Sequence, residues 1–292
     1  MIPFVLYCKS YRTDLKRLLR LVVSVEKYNR ESLPFYVSVP QADLQIFREH
    51  LKDYKTELIC DEDIIKSSPK LNLNQIEILP GNLSQQVVKS EFWRMGISES
   101  YLCLDSDSIF IRPFGLEDFV LLDSMTPYTV ISEAQGLMEM ALTSKKINVF
   151  NNFKKDALSV QELFQRKGKK YSFGPMPMAW HRSVWQALDE EFLKPKNMNF
   201  TDAIIAAPLE SRWYGESLLA FEPIKLIPTE SFFKVFHYYW QAKGKFDNSE
   251  YIHQISNLYT GIILQSSWEK EMDWPTPSMS RQISIKLRRV FK

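Results

Sequence analysis

The stretch that decides the fold is residues 101–113, YLCLDSDSIFIRP. An apolar, strand-like run, Tyr101-Leu102-Cys103-Leu104, ends in Asp105-Ser106-Asp107. A second short apolar run, Ile109-Phe110-Ile111, follows, and Pro113 closes the segment. Two carboxylates with one residue between them at a strand end can present oxygens to one divalent cation. Hard ions such as Mg²⁺ or Mn²⁺ take oxygen ligands and bridge to a diphosphate. Asp-x-Asp is common by chance; a buried strand directly before it gives this one its weight.

Upstream, the chain alternates between strand and helix patterns. Pro3–Ser10 reads as a strand and Asp14–Tyr28 as a helix, with Leu15, Leu18, Leu19, Val22 and Val25 at helical spacing and Thr13 or Asp14 able to cap it. Phe35–Val39 reads as a strand, Gln41–Leu51 as a helix and Glu57–Cys60 as a strand. Such alternation implies a mostly parallel sheet with crossover helices. No Gly-x-Gly-x-x-Gly follows the first strand and no Walker-type loop exists, which argues against a dinucleotide fold and a P-loop kinase. Residues 61–83 read as polar and irregular. Ser84 caps a helix over roughly 85–96, with Val88, Phe92 and Met95 as its core stripe and Gln85, Gln86 and Lys89 beside it.

Downstream, Val130–Glu133 reads as a strand, Phe150–Lys170 as a polar helix ending in the basic run 166–170, and 173–178 as a rigid loop with two prolines. Ser183–Phe192 and Thr201–Glu216 read as helices, the second interrupted by Pro208, and Ile224–Pro228 as a strand. The tail, 280–292, interleaves Arg281, Lys286, Arg288, Arg289 and Lys292 with apolar residues. It suits either a helix docked on the domain or a peripheral contact with an anionic membrane.

Composition is that of a globular protein, 45% hydrophobic and 25% charged, and a net charge of +2 gives no argument for nucleic acid binding. Cys8, Cys60 and Cys103 sit in apolar runs without Cys-x-x-Cys spacing, which fits a reducing compartment better than disulfides or zinc. No basic leader precedes the first strand and no apolar run is long enough to span a bilayer. The expected location is cytoplasmic, or peripheral at the inner membrane face.

A metal held by Asp105 and Asp107 needs a further contact. Of four histidines, His237 ends the apolar run 232–236 and precedes Lys243-Gly244-Lys245. A neutral imidazole is a good partner for Mn²⁺, and the lysines could neutralise a leaving diphosphate. A core histidine and a solvated lysine remain the plain alternatives. Aromatic residues, 13% of the chain and dense between Phe173 and Trp240, suit either a core or the stacking of sugar rings.

The order of these elements resembles a GT-A type nucleotide-sugar-dependent glycosyltransferase. The late His–Lys arrangement is similar to that of the retaining group related to glycogenin, whose Gly and Lys-Pro-Trp are replaced here by Lys243-Gly244-Lys245. The nearer resemblance is to an uncharacterised bacterial family of predicted glycosyltransferases found with surface-polysaccharide genes. Its motifs appear as Cys8-Lys9-Ser10-Tyr11 followed by Asp14, as Gln85, Gln86 and Lys89, as Glu210 to Gly215, and as Gln265-Ser266. The resemblance implies an α/β GT-A (Rossmann-like) fold, a mixed, mostly parallel sheet flanked by helices. It implies one catalytic domain over 1–279, with a nucleotide-binding half at 1–113 and an acceptor half at 114–279. Ser10, Tyr11 and Asp14 would lie at the base or ribose, and Lys89 near the ribose or phosphates. Asp105, Asp107 and His237 would hold Mn²⁺ or Mg²⁺, and Asp105 and Lys243 would meet the diphosphate. Glu210 would face the acceptor, as general base in an inverting enzyme, with Glu216 as its rival. The donor would be a nucleotide-sugar, UDP-sugar by default. The acceptor would be a glycan or lipid-linked glycan lying among the aromatics near 173–180 and 213–240.

Two other readings compete. A haloacid-dehalogenase-type phosphohydrolase also ends a strand in Asp-x-Asp, with the first Asp as nucleophile. It normally carries the motif on its first strand and needs a later acidic pair, often Asp-Asp, which this chain lacks. The other is a carbohydrate-binding protein that kept the fold without the catalysis.

Overall fold

The structure is a computed structural model, and it describes residues 1–246 and 248–266. Strands β1 (Ile2–Lys9), β2 (Phe35–Val39) and β3 (Glu57–Cys60) alternate with helices α1 (Leu15–Tyr28) and α2 (Leu44–Leu51). Then come α3 (Asp61–Lys66), α4 (Leu73–Glu77), α5 (Gly81–Glu91) and β4 (Ser98–Leu104). Strand β5 (Ser108–Phe110) leaves the motif directly, followed by the short strands β6 (Val120–Leu121), β7 (Thr126–Pro127) and β8 (Thr129–Val130). A hairpin of α6 (Gln135–Thr143) and α7 (Ile147–Leu163) precedes β9 (Met178–His181), α8 (Arg182–Ala187), α9 (Phe200–Ala206) and α10 (Glu210–Phe221). The last elements are β10 (Pro228–Thr229), β11 (Phe233–Phe236), α11 (Tyr239–Ala242), α12 (Ser249–Ser256) and β12 (Gly261–Leu264).

The main sheet runs β3-β2-β1-β4-β9, parallel except for antiparallel β9. The fold is therefore α/β with a mixed, mostly parallel sheet. Strand order reverses between β1 and β4, so their carboxyl ends flank a topological switch point, where open α/β sheets bind ligands. Apolar residues fill β1 without alternation because both faces are covered. Phe4, Leu6 and Cys8 pack into one core with Leu18, Val22 and Phe47. Val5 and Tyr7 point into the other, with Val88, Phe92 and Trp185. A smaller sheet, β11-β12-β5, begins where the motif ends, with β5 antiparallel to β12 and β12 parallel to β11.

Two expectations change. Residues 61–83 are not irregular: α3 starts on Asp61, Glu62 and Asp63, acids that favour a helix N-terminus. Helix α4 starts on Asn72, whose side chain accepts from the Asn74 N–H at 2.9 Å. Helix α5 begins at Gly81 rather than after Ser84, whose hydroxyl donates to the Gly81 carbonyl at 3.2 Å. The tail at 280–292 lies outside the described residues. No helix among the described residues is long and apolar enough to cross a membrane.

Candidate active site

The motif turns sharply off β4: the Ser108 N–H donates to the Asp105 carbonyl at 3.0 Å. Ser106 points down and donates to the Ser10 hydroxyl at 3.0 Å, which ties the carboxyl ends of β1 and β4 together. Ser10 is thus fully buried and positions the motif. Tyr11, exposed at the same edge, lies under the Lys9 ammonium, 5.3 Å from its ring centre. Asp14 does not cap α1; its carboxylate pairs with Arg17. Burial raises Asp14, Arg17 opposes that, and Asp105 raises it further, so Asp14 and Asp105 feel each other's charge.

Asp107 is buried and faces the smaller sheet. Its Oδ2 accepts from the Ser266 N–H and hydroxyl, each at 2.9 Å. Burial and the neighbouring Asp105 charge push it up to about 6 against those two bonds. Asp105 is half-buried, and its Oδ1 accepts from Lys89 Nζ at 2.5 Å. Lys89 itself is 3% exposed, and its ammonium also lies 3.5 Å from Glu210 Oε1. Burial would discharge it, but Asp105 and Glu210 outweigh burial and hold it charged. Glu210 begins α10, and its N–H donates to the Gln86 side chain at 3.2 Å. Its carboxyl is raised by burial, lowered by Lys89 and raised again by Asp105. Three expected residues, Lys89, Asp105 and Glu210, are thus one chain of contacts. Lys89 is held between carboxylates rather than open to a phosphate.

Glu216 is settled differently. Arg166 donates to both its oxygens, at 2.5 and 2.8 Å. The rival carboxylate is therefore engaged away from Glu210, and Arg166 of the basic run is an ion-pair partner rather than a solvated end.

His237 follows β11, and its ring hydrogen-bonds Gln265, next to Ser266. Burial and Lys234 push it down to about 4, so the imidazole is neutral near pH 7. The site's far wall is thus made of strand ends from the smaller sheet. Lys243 is exposed beyond α11, before the left-handed turn at Gly244. Among the described residues no group of three or more His, Cys, Asp or Glu is gathered closely enough to hold a metal ion. Asp105 is paired with Lys89, Asp107 with Ser266 and His237 with Gln265. The donor chemistry of the two aspartates still fits a hard divalent cation: Asp105 raises Asp107, and a cation beside them would relieve that repulsion.

The aromatic expectation needs correction. Phe173, Trp180, Trp213, Tyr214, Phe232, Phe233 and Phe236 are all buried, because the sheet faces need large apolar side chains. Trp240 is the strongly exposed ring of that stretch. Sequence reasoning missed Asp61, which follows β3 and meets Lys9 at 3.3 Å on the same sheet edge. Burial pushes Asp61 up to about 6, against the pull of Lys9. A strand ending in a carboxylate beside a strand ending in a lysine was the available signal.

The fold and edge therefore define an α/β protein with a carboxylate site at its switch point. Residues 1–268 match the model of a family of unknown function, DUF6492, and the chain belongs to that family. No curated protein matches the chain. Among solved structures it is similar to the apo form of mouse xyloside xylosyltransferase 1, at a TM-score of 0.48 and 9% identity, covering 91% of this chain and 99% of that one.

Proposed function

We propose that this protein is a metal-dependent glycosyltransferase of GT-A type. It would move a sugar from a nucleotide-sugar, UDP-sugar by default, to a glycan or lipid-linked glycan of a cell-surface polysaccharide, working in the cytoplasm. The observation that carries the reading is the pairing of Asp105 and Asp107 at the switch point, with Lys89 and Glu210 locked behind them. Mn²⁺ or Mg²⁺, held by Asp105 and Asp107 with His237 nearby, would supply charge neutralisation for the donor diphosphate. Tyr11 and Asp14 line the edge where the base and ribose would lie, with Ser10 fixing that edge from below. Lys89 holds Asp105 in place through their ion pair, and exposed Lys243 would meet the leaving diphosphate. Glu210 would face the acceptor, since Arg166 holds both oxygens of Glu216 whereas Lys89 meets a single Glu210 oxygen at 3.5 Å.

Thermal shift with UDP and GDP, each with and without Mn²⁺, tests this. A metal-dependent rise with one nucleotide is expected. No response to any nucleoside diphosphate, or phosphate release from a generic aryl phosphate, would sink the reading.

A further inference from the structure

A second feature lies on the surface beside this edge. The connection between α6 and α7 exposes Leu142 and Ile147, 48% and 52% accessible, with exposed Lys145 and Lys146 between them. From 142 to 155 the chain carries four lysines and no acidic residue. The tip does not stand alone: Lys146 Nζ lies 5.5 Å from the centre of the Tyr238 ring. Tyr238 stacks in parallel with Trp240, at 6.3 Å between centroids, and Trp240 is 59% accessible. On the other side of the tip, Lys154 covers Phe150, with Nζ 4.3 Å from the ring centre. Single exposed apolar side chains are ordinary. Here a leucine, an isoleucine and a tryptophan share a rim with four lysines, and the exposed Glu139 stands one turn behind Leu142.

We propose that this rim, the α6–α7 tip with Trp240, docks on an anionic lipid bilayer. Lysines near an anionic surface are attracted within a Debye length, and exposed Leu and Ile can enter the headgroup boundary. An indole suits that boundary because it has an apolar body and a polar N–H. The charge selects an anionic surface over a neutral one and over a basic protein partner. The rim also has a direction. Tyr238 follows His237, whose ring bonds Gln265, and Ser266 holds Asp107. A bilayer at this rim lies along the His237 side of the candidate site. The rim lies outside the Lys89–Asp105–Glu210 contacts, so lipid docking does not depend on a nucleotide binding there.

Flotation of the full-length protein tests it, with vesicles of phosphatidylcholine alone and of phosphatidylcholine mixed with phosphatidylglycerol. Binding to the anionic vesicles alone is expected, weakening as salt is raised. The double variant Lys145→Ala, Lys146→Ala should bind about 30-fold more weakly, about fivefold per lysine. Trp240→Ala should also weaken binding, with an unchanged circular-dichroism melting midpoint for both variants. A control replaces Lys286, Arg288, Arg289 and Lys292 with alanine in the full-length chain. Absence of anionic-vesicle binding overturns the proposal. So does binding that the tip variants leave intact, including binding lost only in the tail control. The nucleotide thermal shift is read separately, so failure of one idea does not mask the other.

Discussion

Helix α5 and the turn after it seed two buried ion networks, and only one of them is open. Lys89 reaches forward to Asp105 and Glu210. Glu91 and Arg94 turn to the back, where Arg94 donates to Glu91 at 2.5 Å and to Asp189 at 2.7 Å. Lys70 takes the other Asp189 oxygen at 2.9 Å. Residues two apart on a helix face opposite ways, so one helix serves both. The rear network is closed to solvent: both Asp189 oxygens have cationic partners that lower its pKa despite burial, and Glu91, which burial pushes up to about 7, is buried against Arg94. The front network ends at half-buried Asp105, beside an Asp107 that burial and repulsion raise to about 6. A saturated network fixes structure, whereas unrelieved negative charge at a strand edge marks a place for a cation or a substrate.

The sharpest way to break this contrast is to remove one acid from each side. Asp107→Ala should cut sugar transfer by at least ~100-fold and leave the fold intact. Asp189→Ala should lower stability while the folded fraction stays active. Activity above a few per cent in Asp107→Ala would show that the edge is not the reacting site.

The next test removes the cations. Lys89→Met and Arg94→Met should each lose about 3–5 kcal/mol in urea unfolding, because each strands buried carboxylates. Only Lys89→Met should also lose the nucleotide-dependent thermal shift. Equal loss of that shift in both variants would erase the distinction between front and rear.

The third test concerns pH. Asp107 has a folded pKa near 6, above its unfolded value, so its ionisation weighs against the folded state as pH rises through 6. Asp107→Asn should therefore raise stability by about 1–2 kcal/mol above pH 6. The gain should shrink to a few tenths of a kcal/mol as pH falls to about 4, where the folded carboxyl is protonated and the unfolded one about half so. A gain that persists undiminished at pH 4 would mean that packing, not charge, is responsible.

The smallest effect is expected at Ser266. Ser266→Ala removes one of two donors to Asp107 and should lose about 0.5–1.5 kcal/mol in chemical denaturation. It should also move the Asp107 titration upward, readable by NMR, because a bond favouring the charged form is gone.

Much of the fold was legible in the chain. The strands 35–39 and 57–60 and the helix stripe of α1 followed from apolar spacing, since both faces of the sheet demand continuous apolar strands. The short helices α3 and α4 were not, because pieces this brief carry too few apolar positions to show a period. At the candidate site, the placement of Asp105 and Asp107 at a strand end was readable from local pattern. The grip of Lys89 on Glu210, the capture of Glu216 by Arg166 and the carboxyl of Asp61 were not. Each joins residues far apart in sequence, and no local spacing encodes such a contact. The rings between 173 and 240 misled in the other direction: composition marks an aromatic side chain but not the face it takes.

Ser266 lies two residues past β12, and its two bonds to Asp107 tie the end of that strand to the motif. A shift of that segment reaches the carboxylate through a single residue. A substitution or insertion near position 266 is thus an intervention at the candidate site, although 159 residues separate it from Asp107.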